Sequence, residues 1–104
     1  MKFENKLIYT SHNHNTKDMS EKIASFVLGK GYLPVDPFLV FPPFCLDSFK
    51  MTKFERLALD MKMLSRCDEL WVFGAITYGV GKETEWWKKN RPSSEIRYFS
   101  WQEL

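Results

Sequence analysis

The chain has 104 residues, a net charge of +2 from 15 Lys and Arg against 13 Asp and Glu, and a hydrophobic fraction of 44%. That length suits one domain, 1–104, with a single core; nine Phe, four Tyr and four Trp exclude a disordered chain, and the balanced charge excludes a dedicated nucleic-acid binder. Cys45 and Cys67 make no disulfide framework, no apolar stretch follows the N-terminal charges, and the apolar run 38–46 falls far short of the ~20 residues of a membrane span, so the expectation is a reduced, cytoplasmic protein.

Residues 6–11, Lys-Leu-Ile-Tyr-Thr-Ser, are short, apolar and partly β-branched and predict a buried strand. The polar run 11–16 follows, in which Asn15 or Thr16 can cap a helix whose apolar stripe is Met19, Ile23, Phe26 and Val27. Gly29 and Gly31 end that helix. Residues 32–35 predict a second strand, with Pro34 marking a sheet edge. The proline-rich stretch 36–49 predicts a long loop, of the kind that forms lids.

Residues 51–66 predict a second helix with Phe54, Leu57, Ala58, Met61, Leu64 and Ser65 along one side and Asp60 on its margin. Glu-Leu-Trp-Val-Phe-Gly, 69–74, is the clearest strand, apolar on both faces as in a parallel sheet. A glycine-rich turn at 78–81, a short helix at 82–90 and a last strand at 96–99 complete the order. Strands alternating with helices predict a three-layer α/β flavodoxin-like (Rossmann-like) parallel sheet of four to five strands, ordered 2-1-3-4. In that order ligands bind at the carboxyl ends of strands 1 and 3, where the polar run 11–16 and the glycine-rich segment 75–83 emerge.

Glu83 is expected to open the last helix, where the helix dipole favours a carboxylate and Gly79 and Gly81 let a ligand approach the backbone; first-turn acids are also common plain caps. Trp86 and Trp87 stand three and four residues on and suit stacking on a flat ring, or core packing and subunit contact. Asp60 reads equally as a solvated flank and Tyr9 as a core tyrosine. His12 and His14, with Cys45 and Cys67, lack the ligand spacing of a zinc site, so no metal or cofactor is implied.

Leu64-x-x-Cys67-Asp-Glu-Leu-Trp-Val-Phe-Gly74 followed by Tyr78-Gly-Val-Gly-Lys-Glu83, with Tyr9-Thr-Ser11 and Gly31-Tyr-Leu-Pro34, resembles the nucleoside 2-deoxyribosyltransferase-like superfamily, in particular its short bacterial and phage members. The resemblance covers nearly the whole chain, the stretch 67–83 being its most specific part. It implies that Glu83 is a nucleophile, that Asp60, eight residues before Asp68, handles the base, and that Tyr9 positions the nucleophile. The implied activity is N-glycosidic cleavage or deoxyribosyl transfer on a nucleoside or nucleotide; the alternative is non-catalytic binding, for sensing or sequestration, of a nucleotide-derived ligand. Trp86, Phe38 or Phe41 would stack on the base. Residues 11–15, Ser-His-Asn-His-Asn, depart from the phosphate loop of the related N-hydrolases, so that Ser11, His12 and backbone N–H groups would meet a phosphate. A homodimer or higher homo-oligomer is implied too, and exposed Trp86, Trp87 and Trp101 would suit its interface.

Overall fold

A computed structural model describes residues 4–41 and 47–104. Four strands, β1 (Leu7–Ser11), β2 (Leu33–Val35), β3 (Glu69–Phe73) and β4 (Arg97–Phe99), form one parallel sheet in the order β2-β1-β3-β4. This is the expected flavodoxin-like arrangement, and Pro34 does lie on an edge strand. β1 and β3 occupy the middle and are buried along all but their first residue, which is why they read as continuous apolar runs.

Helix α1 (Ser20–Gly29) covers one face; α3 (Lys53–Leu64) and α4 (Tyr78–Asn90) cover the other. On the α1 side Ile8, Trp71 and Phe73 pack against Ile23 and Val27. On the α3–α4 side Tyr9, Leu70 and Val72 pack against Leu64, Val80 and Trp87. Successive strand residues point to opposite faces, so one tryptophan and one tyrosine of adjacent strands are sorted into different layers by parity alone.

Several boundaries differ from expectation for identifiable reasons. The polar run after β1 is not open loop: residues His14–Met19 form a 3-10 helix whose N-cap Asn13 accepts from the Asn15 amide, and α1 starts only at Ser20 with no side-chain cap. The residue that takes the left-handed turn after α1 is Gly31 (φ 91°), not Gly29. Part of the predicted 36–49 loop is a one-turn helix, α2 (Pro37–Val40), capped by Asp36, while Cys45 and the rest of 42–46 lie outside the described residues. In α3, Thr52 and Glu55 make a capping box, and Phe54, expected on the apolar stripe, is 71% exposed.

The predicted glycine turn 78–81 is helical. α4 begins at Tyr78, and the Gly81 amide donates to the Thr77 carbonyl at 2.7 Å. Two glycines in four residues hid this first turn because glycine is a poor helix former. Glu83 therefore stands in the second turn of α4 rather than opening it.

At the end of β3, Gly74 has φ 77°, and a Cβ there would lie 2.7 Å from the Trp101 ring. Only glycine fits, and its absent side chain lets Trp101 close over the α1-side core. Among the described residues no helix is long and apolar enough to cross a membrane.

Candidate active site

The parity of β1 builds two polar centres, one on each face of the sheet. Tyr9 and Ser11 face α4, where both donate to Glu83: the Tyr9 hydroxyl to Oε2, and the Ser11 hydroxyl to Oε1 at 2.7 Å. Thr10, on the opposite face, and His12, just past the end of β1, meet Asp36. Asp36 Oδ2 accepts from Thr10 Oγ1 and from His12 Nε2, each at 2.8 Å, and Oδ1 accepts from Ser20 Oγ at 2.8 Å and from the Phe38 amide at 3.0 Å. Thr16 Oγ1, which donates to the Asn13 carbonyl, stands 2.9 Å from His12 Nδ1, so both His12 ring nitrogens are engaged, and the side chains of the His12–Asp36 pair are fully buried.

Glu83 is 5% exposed. Burial pushes its carboxyl up to about 7, against the bonds from Tyr9 and Ser11, which favour the charged form; the charges of Asp60 and Asp36 push in the same direction as burial. Asp60 is raised to about 6, mainly by burial, with Arg56 opposing and Asp36 adding. Tyr9 is held well above its ordinary range, first by burial and then by the Glu83 charge, so it remains a donor. Asp36 behaves in the opposite way. Burial alone would raise it, but the bond from His12 and its charge, with the Thr10 and Ser20 hydroxyls, hold it below the usual carboxylate range.

A cavity of about 190 Å³ opens over Glu83. Glu83, Asp60, His12, Gly79 and Phe38 line it, five of the residues expected at the site. Tyr9 and Ser11 lie beneath it, in contact with Glu83. Gly79 has no atom within 4 Å of where its Cβ would be, so its missing side chain serves the open space rather than packing. Two expectations fail. Gly81 and Trp86 are not on the cavity wall; Trp86 packs against the α3–α4 core, its ring 6.3 Å from that of Trp87.

Trp87 is wholly buried and its indole donates to the Ser94 carbonyl at 3.0 Å, which removes it from any subunit interface; Trp86 and Trp101 are half-buried against the core. A phosphate role for Ser11 and His12 fails as well, because the Ser11 proton is given to Glu83 and both His12 nitrogens are engaged. Cys67 is buried and its thiol is pushed up to about 12, mainly by burial, so it is no nucleophile. Among the described residues no cluster of His, Cys, Asp and Glu fits a metal ion.

The wall also holds residues that the sequence did not place at the site: Lys53, Arg56 and Leu57 from α3, His14, and Thr77 and Tyr78 at the start of α4. Lys53 and Arg56 look like an ordinary solvated helix flank in sequence. The signal for Asp36 was present, since Asp before Pro is a helix-start pair, the carboxylate capping and the proline taking the first helical position.

The raised Glu83 carboxyl has a measurable consequence for stability. Folded Glu83 keeps its proton to about pH 7, whereas the unfolded chain releases it near the ordinary 4.5. Between those values the folded state binds more protons, so this group's contribution falls as pH rises and then levels off above about 7. Glu83→Gln removes the titration. From pH 4 to pH 8 the variant is expected to gain about 3 kcal/mol on the native chain in urea unfolding; a constant difference across that range would refute the buried-acid description.

A family model described as Domain of unknown function (DUF7768) matches residues 8–99. No curated protein and no solved structure matches the chain.

Proposed function

For this chain, which belongs to the DUF7768 family, we propose N-glycosidic bond cleavage or deoxyribosyl transfer on a nucleoside or nucleotide, with Glu83 as the nucleophile. The observation that carries the reading is a buried carboxylate on the floor of a cavity, oriented by two hydroxyl donors, with a second acid, Asp60, on the same wall. Tyr9 and Ser11 fix both Glu83 oxygens while leaving each a lone pair for the sugar's anomeric carbon. As the carbon–nitrogen bond breaks, its electron pair goes to the base and Asp60 supplies the proton the departing nitrogen needs. Positive charge at the anomeric carbon is met by the Glu83 carboxylate, which closes a covalent ester. Water, or the nitrogen of a second base, then attacks the same carbon, gives its proton to Asp60 and frees Glu83.

Asp60 is raised to about 6 and Glu83 to about 7, so the working form, Glu83 ionised and Asp60 protonated, is the minor one-proton species and is most populated between those values. Phe38 supplies the aromatic wall; its ring stands edge-on to His12 at 4.9 Å and to His14 at 5.6 Å. The test is incubation of the purified protein with a panel of deoxynucleosides and their monophosphates, with free base followed by chromatography. Release from at least one member is expected, fastest between about pH 6 and 7. Stoichiometric binding with no release from any member would replace catalysis with ligand sensing or sequestration.

A further inference from the structure

The cavity has a second pole. Lys53 and Arg56 line it from α3, and among the described residues no carboxylate lies within ion-pair distance of either, whereas Lys6, Lys82 and Arg97 each face a glutamate. Lys53 Nζ sits 4.5 Å from the centre of the Tyr78 ring, which holds the ammonium across the mouth from α3 to α4. Arg56 is half-buried and makes no ion pair, although Asp60, four residues on along α3, feels its charge. His14 Nδ1 on the same wall is buried and has no hydrogen-bond partner. Thr77 gives α4 no side-chain cap, so the first N–H groups of that helix, whose residues Tyr78 and Gly79 line the cavity, have no side-chain acceptor.

Two cations without an ion pair and a buried ring nitrogen without a hydrogen bond thus gather on one side of the cavity. We propose that the ligand of this cleft carries a phosphoryl group, held by Arg56 and Lys53 with a hydrogen bond from His14. The proposal rests on the reading of the cavity as a nucleoside or nucleotide site and names the charged half of that ligand. A phosphoryl group presents three acceptor oxygens and up to two charges, which two cations and a ring N–H can divide between them. Size agrees: about 190 Å³ is below the ~300 Å³ at which small-molecule pockets begin, so a ligand seated on Glu83 extends past the mouth, towards Lys53 and Tyr78. Arg56 also couples the two poles. Its charge opposes protonation of Asp60, and an anion bound to it would release that opposition, so the phosphoryl group would help Asp60 to act as the acid.

The experiment uses the full chain and inorganic phosphate, with acetate at matched ionic strength as the control, and follows the His14 ring resonances by NMR. Saturable shifts with phosphate and none with acetate are expected, with affinity at least tenfold weaker in Arg56→Gln and in Lys53→Gln. Absence of saturable phosphate binding, or equal affinity in the native chain and both variants, would overturn the proposal. A second readout compares a deoxynucleoside with its monophosphate: the kcat/KM preference for the phosphorylated form should be at least tenfold and should collapse towards parity in Arg56→Gln. The outcomes separate the two readings. Phosphate binding that depends on Arg56 without any base release removes the proposed reaction and leaves the phosphoryl site; base release with no preference and no phosphate binding removes the site and leaves the reaction.

Discussion

Glu83→Gln should lower the rate of base release by at least about 10³-fold, the scale seen when a nucleophile is removed and only binding and polar stabilisation remain. Glutamine fills the same volume, so the wall of the cavity keeps its shape. What changes is that the amide cannot capture the anomeric carbon and carries no charge to meet the developing cation. One of the two donors beneath it, Tyr9 or Ser11, must also turn away from an NH2 group. The loss should appear in kcat more than in KM, because the charge acts on the transition state rather than on the ground-state sugar. Single-turnover release measured on both proteins decides the matter; a variant within tenfold of the native rate would exclude Glu83 as the nucleophile. Urea unfolding of the variant at the assay pH separates lost activity from lost fold.

The largest stability effect is expected at Asp36. Its carboxylate joins β1 through Thr10, the following turn through His12, α1 through Ser20 and α2 through the Phe38 amide. Asp36→Ala strips all four donors of their acceptor in a buried site. Each buried donor left unsatisfied costs about 1–3 kcal/mol, so a loss of about 3–5 kcal/mol is expected, which for a domain of this size lowers the melting temperature by more than ~10 °C. Asp36→Asn with His12→Gln should cost less than the sum of the two single losses, since the two residues share a bond. Thermal unfolding of the single and double variants tests this, and a loss under about 1 kcal/mol for Asp36→Ala would show that the network contributes little.

The sheet was legible because β1 and β3 are buried on both faces, and strands of that kind carry an uninterrupted apolar signature that survives without tertiary information. Glu83, Asp60 and Tyr9 were legible only through their resemblance to a superfamily pattern; taken singly, each reads as a cap, a flank and a core residue. Gly79 and Gly81 misled, as two helix-breaking residues concealed the first turn of α4. Which of Trp86 and Trp87 is turned fully to the core was not legible, because neighbouring helix positions differ by about 100° in direction and nothing local decides between them. Lys53 and Arg56 could not be told from solvated charge until α3 was laid beside α4.

The division of the interior by the sheet also equips the protein with its own optical probes. Trp71 and Trp87 are both fully enclosed, one in the α1-side core and the other in the α3–α4 side. Their indoles report on separate halves of the molecule: Trp71 lies under Phe26, Tyr32 and Phe99, and Trp87 lies against the Arg91 guanidinium. Fluorescence from chains that retain one or the other would record whether the two halves melt as a single unit, and which of them loosens when a ligand leaves the cleft.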